Sequence, residues 1–336
     1  MSATRLRILS AGPGVTIQDG GRRGFLRFGV TESGPMDRLA HRTANRAAGV
    51  PWDSAAIEVS LGGIELAVEG APLAVALAGG SFNVSLDGRR LPSAVVIRLS
   101  ADHTLSVRAG DSGAWCYLAV AGRFDRAAEL GSVSMHTRTS IGGRPLEAGS
   151  VLPVVELKTP DLDAAEIVAP WLERSGENVR VILGPQDDYF SAEQIAAFFE
   201  ATWVVSHQSD RMGYVLEGPK LSPAKGFNIV SDGTAFGSIQ IPGAGRPIVL
   251  MADRPPTGGY PKIATVISAD IGRLAQLRPG HELRFAASSV EEAVSALRHE
   301  MRMLAQPVTL RPLGGSLSAG SLLRQNLVDG VTDGEC

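Results

Sequence analysis

Asp253, Arg254, Thr257, Gly258, Gly259, Tyr260 and Lys262 fall within ten residues of one another, in the stretch ADRPPTGGYPK. Acid, base, hydroxyl and bare backbone N–H groups are thus presented together, a mixture suited to holding a small polar ligand. Gly258 and Gly259 can take positive φ and let a ligand approach the main chain closely. Upstream, the Gln240 amide can donate and accept at one edge of a ligand. Taken alone, the glycine pair and the adjoining Pro255-Pro256 can equally do no more than shape a surface turn.

The elements that must position these groups are legible around them. The run 248–251 has the length and branched content of a buried strand, and a turn cluster over 253–259 follows at once, so a rigid strand delivers a polar loop. Gln240 sits in a short strand over 238–241 that Pro242 and Gly243 stop. Ahead of it, SDRMGYVLEG places Asp210, Arg211 and Met212 in sequence. Asp210 and Arg211 read either as a structural ion pair or as substrate contacts. Near the N-terminus, strands over 6–9 and 15–18 lead to Arg22 and Arg23, which can bind an anion or simply be solvated. Asp37 precedes an amphipathic stretch with Leu39, Ala40, Thr43, Ala44 and Ala47 on one helical face. Ser33 or Gly34 is the expected cap, Pro35 suits the first turn and Gly49 the stop. Asp37 is then a dipole partner or a site residue.

From residue 57 short strands alternate with turns, over 57–59, 64–68, 73–78, 82–86, 95–99, 104–107 and 115–120. Asp87-Gly88 marks a hairpin, and the spacing suggests an antiparallel barrel or sandwich. Lys158, Pro160, Asp161, Asp163 and Pro170 break the strand pattern over 157–176, which reads as a linker. Beyond it come strands over 179–183 and 202–205, and capping boxes at Ser191/Gln194 and Ser289/Glu292 that open helices. Asp270 is the expected cap of a short helix ending at Leu274. The fold class is mainly β with a few helices (α+β), in two β-rich domains, 1–160 and 175–306. A tail over 307–336 is either a docking strand or partly disordered.

With 336 residues the chain can build two cores, and a formal net charge of −3 implies no strongly basic face, so nucleic acid is not an expected partner. Cys116 and Cys336 are the only cysteines. They point to a reducing compartment, with Cys116 a buried, inert thiol. No apolar run approaches a membrane span and the N-terminus lacks a signal-peptide core, so a soluble cytoplasmic protein with no membrane partner is expected. There is no HExxH, no paired-cysteine site, no Walker-type loop and no GxSxG elbow, so no metal is expected and the histidines read as surface or core residues. No lysine is flanked by methionine, so the biotin-attachment motif is missing too.

Several segments together resemble the biotin-dependent carboxyltransferase A/B family: GPGVTIQDGGRRGFLRFGV, the SGPMD run with its following Ala44-Asn45, SDRMGYVLEG, GSIQIP, ADRPPTGGYPK and AQLRPG. That family includes the C-type subunits of 5-oxoprolinase, second subunits of allophanate-hydrolase type and kinase-inhibitor antagonists, and forms half of the carboxyltransferase region of urea carboxylase. The resemblance implies a subdomain A-like first half and a cyclophilin-like β-barrel, subdomain B-like, for the second. LGSVSMHTRTSIGGRPLEAGS departs from the family pattern at Val133, Met135 and Ser150, which weakens any ligand-binding role for that segment.

Three functions follow from the resemblance. The first is one chain of an ATP-dependent 5-oxoprolinase complex that opens 5-oxoproline to glutamate, beside a B-type partner resembling carboxyltransferase subdomains C and D and an A-type partner. In it Asp253 acts as base or orients the nucleophile, Lys262 and Arg211 stabilise an oxyanion or phosphate, and Gln240 holds the amide edge. Thr257, Gly258, Gly259, Tyr260, Asp210, Met212, Asp37 and Arg22 complete the substrate-binding set. The second is a carboxyltransferase half-site for the ureido ring of carboxybiotin, with biotin as cofactor. The third is a non-catalytic antagonist of a kinase-inhibitor protein. ATP or biotin, if used, requires another chain to carry or bind much of it.

Overall fold

The structure, a computed structural model, describes residues 4–158, 164–174 and 178–313. In the strand Leu73–Leu86, Leu73, Val75 and Leu77 point into one hydrophobic cluster while Ala76 and Ala78 point into another. That period of two lets one sheet serve two cores. The large side chains fill the interior of the first half together with Leu6, Ile17, Ile57, Leu66, Val107 and Leu118. The alanines let helix α1 (Arg38–Ala47) lie close on the opposite face through Ala40, Ala44 and Ala47.

Twelve described strands form that sheet, every pairing antiparallel, with Leu73–Leu86 and Thr104–Val120 at its centre. The segments expected over 73–78 and 82–86 are one continuous strand, as are those over 104–107 and 115–120. Register shifts at Gly79/Ser81 and Ser81/Asn83 bend both. Gly110 permits the bend, since a Cβ there would collide with the Ser81 carbonyl oxygen. Asp87 and Gly88, with φ of 50° and 80°, form the expected hairpin turn.

The second half is a closed seven-strand barrel: Asn178–Leu183, Lys262–Val266, Ser238–Gln240, Ile248–Leu250, Gly213–Glu217, Trp203–Val205 and Glu282–Ala287, shut by the parallel pairing of the first with the last. The mainly β class and the barrel expected for the second half are what the chain adopts. Ile248–Leu250 is a buried barrel strand, as its branched run implied. Helix α2 (Ala192–Glu200) sends Phe198 inside, stacked on Phe285 at 4.7 Å between centroids. Helix α3 (Ser268–Ala275) and helix α4 (Val290–Ala305) lie towards α1, and the barrel core continues into the α1 cluster. Among the described residues no helix is long and apolar enough to cross a membrane. Cys116 is fully buried, and burial pushes its thiol up to about 12.

Four local expectations need correction. Ser33 and Gly34 turn left-handed, with φ of 53° and 81°, and do not cap α1. Asp37 does, in extended conformation, its carboxylate accepting from Ala40 N at 3.2 Å. Asp270 lies inside the first turn of α3, where it accepts from Arg180 Nε and Nη2 at 3.0 and 2.7 Å. The Gln194 side chain bonds Ser222 N instead of closing a box on Ser191, whereas the Ser289/Glu292 box is complete. Finally, the stretch read as a linker contains a strand, Ala164–Val168, paired with Val95–Leu99. Thr309–Pro312, in the expected tail, pairs with its other edge. The breakers Pro160, Asp161 and Asp163, Cys336 and the tail beyond 313 lie outside the described residues.

His41 of α1 is fully buried. Its Nε2 bonds the Gln18 carbonyl at 3.2 Å, and Nδ1 has no partner among the described residues. Burial holds its pKa at about 4, below the 6.5 of a free side chain. Between those values the unfolded chain binds a proton that the folded one refuses, so stability falls as pH drops from 6.5 towards 4, by about 3 kcal/mol. Thermal unfolding should show His41→Gln, which keeps a donor for Gln18, losing less stability over that window than wild type. Parallel pH profiles would contradict the assignment.

Candidate functional site

The expected site residues separate into two groups. The first is buried where the barrel meets the first sheet. Glu58 lies on Ala56–Val59, whose Ile57 and Val59 face the sheet core, so period two turns Glu58 towards the barrel. Glu58 Oε2 accepts from Met36 N at 2.9 Å and Tyr117 Oη at 2.8 Å, and its Oε1 pairs with Arg211 Nη1. Arg211 also donates from Nε and Nη2 to the two Asp253 oxygens, each at 3.0 Å, and from Nη2 to the Gly34 carbonyl at 2.8 Å. Asp253 Oδ2 further accepts from Thr137 N and Oγ1 at 3.0 and 2.8 Å. Tyr117 Oη accepts from Asp37 N at 2.8 Å. The Asp37 carboxylate pairs with Arg174 and accepts from Gln276 Nε2 at 2.9 Å.

Two carboxylates share one guanidinium here. Burial alone would raise Asp253, but the charge and hydrogen bonds of Arg211 and the Thr137 amide outweigh it and hold Asp253 at about 2. Glu58 is raised, because burial outweighs the same cation. A carboxylate held that low, with both oxygens engaged, is a poor proton acceptor near neutral pH. In this geometry Asp253 has both oxygens engaged and Arg211 bridges two carboxylates, and the network joins the two halves. Asp210 and Arg211 are not an ion pair. Asp210 Oδ1 accepts from Met212 N and Gly213 N at 2.7 and 3.2 Å and shapes the turn. Both residues border a 440 Å³ cleft with Trp115 and Tyr214. Arg22 is buried and spends Nε and Nη2 on the Glu129 and Ser134 carbonyls at 3.1 and 2.7 Å, while its Nη1 has no partner among the described residues.

The second group lies on the barrel. Gln240 and Lys262 are cross-strand partners beside a bulge between Ile239 and Gln240. Lys262, 1 % exposed, donates from Nζ to Asp232 Oδ2 at 3.2 Å, and its main-chain N–H donates to Gln186 Oε1 at 3.1 Å. The hydrogen bond from Lys262 lowers the Asp232 pKa. Thr257–Gly258 pairs with Asp232–Gly233, which brings Gly258 over the Gln240 amide. A Cβ on Gly258 would collide with Gln240 Nε2, a buried donor that has no partner among the described residues. Gly259 accepts from Ile229 N at 2.9 Å, and Tyr260 is 39 % exposed at the edge. Thr234 connects the two groups, its methyl against Gly258 and its carbonyl accepting from Arg254 Nε at 3.3 Å.

The structure therefore unites Gln240, Thr257, Gly258 and Lys262, and places Asp253, Arg211 and Asp37 in a separate, internally satisfied network. Glu58, Tyr117, Thr137, Gln186 and Asp232 were not foreseen. A glutamate in the middle of an apolar strand was the one available signal, for Glu58. In chemical terms the second group offers an ammonium, an unused amide N–H and bare main chain, a set that recognises a carboxylate and an adjoining carbonyl.

Residues 28–287 match the family described as carboxyltransferase domain, subdomain A and B. The chain is 35 % identical to the C subunit of 5-oxoprolinase from Escherichia coli (strain K12) over 305 residues, covering 90 % of this chain and 97 % of that protein. It is 36 % identical to the C subunit of 5-oxoprolinase from Haemophilus influenzae, over 87 % of this chain and 94 % of the relative. The crystal structure of the K. lactis urea amidolyase superposes with a TM-score of 0.85 at 28 % identity, covering 94 % of this chain but 20 % of that one. A family match over most of the chain, near end-to-end likeness to two 5-oxoprolinase C subunits and the shared architecture lead to one statement: the chain belongs to the carboxyltransferase subdomain A and B family.

Proposed function

We propose that the chain is the C-type subunit of a cytoplasmic, ATP-dependent 5-oxoprolinase, a hydrolase complex that opens 5-oxoproline to glutamate. The observation that carries this reading is likeness to a free-standing C subunit over 97 % of that protein's length, against 20 % of the urea amidolyase. At this barrel cluster, Lys262 faces the substrate carboxylate and Gln240 Nε2 donates to the lactam oxygen, where negative charge grows as a nucleophile adds to the carbonyl carbon. Water is that nucleophile: its oxygen bonds to the carbonyl carbon, the C–N bond breaks and the proton that water gives up passes to the ring nitrogen, leaving glutamate. Neither Gly258 nor Gly259 takes the positive φ expected of them. Gly258 is packed on the Gln240 amide, and Gly259, where a Cβ would meet nothing nearer than 3.8 Å, lets the flat lactam approach the main chain.

One ammonium, already matched in part by Asp232, does not fit a triphosphate, so nucleotide binding is assigned to a partner. Bound there, ATP supplies the phosphoryl group that activates the stable amide. Phe227, Val230 and Tyr260, 49 %, 92 % and 39 % exposed, offer apolar surface for the C/D-type partner. The amide of Gln240 fits a ureido ring as well as a lactam, so carboxyl transfer from carboxybiotin is the second reading, supported by the likeness to urea amidolyase.

Reconstitution with a C/D-type and an A-type partner should give phosphate and glutamate release that depends on 5-oxoproline and on all three chains. A complex that assembles yet shows no lactam-dependent ATP hydrolysis would overturn the proposal. Urea- or biotin-dependent turnover in its place would select the second reading.

A further inference from the structure

We propose that the cavity between the loop at 29–31 and the turn at 136–141 is a separate binding site for a small oxyanion, a phosphate or a carboxylate, with Arg254 as its anchor. At 190 Å³ it lies below the roughly 300–1,000 Å³ that holds drug-sized ligands. Arg254 is 4 % exposed and lines it. Its Nε is used by the Thr234 carbonyl, but the buried Nη1 has no partner among the described residues. A guanidinium N–H left unmatched in the interior is costly, and a charged acceptor relieves that cost. Phe236 lies 5.7 Å from the guanidinium carbon, which supports one face and leaves the planar edge for a ligand.

The other lining groups add donors and no free negative charge. His136 Nδ1 accepts from Arg138 N and Thr139 N at 3.2 and 3.3 Å, which fixes the ring proton on Nε2, 3.2 Å from Thr31 Oγ1. Thr31 therefore accepts from the imidazole and keeps its own hydroxyl hydrogen to give to a ligand. Arg138 brings a second guanidinium to the rim and Thr139 a second hydroxyl. Asp253 also borders the cavity, but Arg211 and Thr137 engage both its oxygens. Glu32, which acts on Arg254 from outside, is paired with Arg38 at 3.1 Å. Burial lowers the Arg254 pKa, in keeping with a cation that lacks a close counter-charge. The proposal is independent of which reaction the complex performs.

Calorimetric titration of the full chain with inorganic phosphate, and separately with glutamate, at matched ionic strength with chloride as control, tests it. Saturable binding is expected, weakened at least about tenfold by Arg254→Met and several-fold by Arg138→Ala. Tighter phosphate binding assigns a phosphate site, and tighter glutamate binding a carboxylate site. Absence of saturable binding for both anions, or wild-type affinity in Arg254→Met, would overturn it. Should Arg254→Met fail to fold, the Thr31→Val, Arg138→Ala double variant serves instead, and undiminished affinity there refutes the site.

Discussion

Arg211→Met should destabilise the protein by about 3–5 kcal/mol, a large share of the roughly 5–15 kcal/mol available to a folded chain. The substitution keeps most of the volume but leaves two buried carboxylates, Glu58 and Asp253, without the cation they share. Neither can turn to solvent, because Glu58 is held by Met36 N and Tyr117, and Asp253 by Thr137. Chemical denaturation should show the midpoint fall, and adding Glu58→Gln and Asp253→Asn to Arg211→Met should recover much of the loss. A single variant within about 1 kcal/mol of wild type would show that the network does not hold the halves together. Lost turnover in Arg211→Met would then be secondary to lost folding.

Lys262→Met should behave in the opposite way. In the assembled complex kcat/KM for 5-oxoproline should fall by about 10–10², carried largely by KM, the size of effect expected when a charge-assisted contact to the substrate carboxylate is lost. The thermal midpoint should change little, because the partner left behind, Asp232, is 54 % exposed and remains solvated. Steady-state kinetics and a melting curve on the same preparation separate the two effects. Unchanged turnover would remove Lys262 from the chemistry, and a melting loss as large as that of Arg211→Met would assign it to the structure.

The range of each interaction decides how much of it the sequence disclosed. Short-range rules worked where partners are near in the chain: Asp87-Gly88 turns a hairpin and Ser289 with Glu292 closes a box. The segment over 73–78 read as a strand, and the branched run at Ile248–Leu250 as a buried one. The same rules missed whatever depends on distant partners. Arg211 meets Glu58 across 153 positions, a pairing that no local pattern encodes. Asp37 caps α1 because Ser33 and Gly34 adopt left-handed turns set by the packing around them. Ala164–Val168 alternates too briefly to stand out from a stretch read as a linker. Thr137 lies in the segment that departs most from the family pattern, yet it holds Asp253 with two hydrogen bonds. In the barrel cluster, Gln240, Gly258 and Lys262 were legible because they share one strand–loop unit, while Asp232 and Gln186 enter from outside it.

Thr309–Pro312 comes after the barrel in sequence yet is hydrogen-bonded to Ala164–Val168, which comes before it. The polypeptide thus leaves the first sheet, builds the barrel and returns to fasten itself to its own point of departure. Severing the backbone between Val168 and the barrel would not release two particles, since the seam at Thr309–Pro312 would still join them. A first half expressed without the barrel and the returning strand would leave the free edge of Ala164–Val168 as an invitation to self-association.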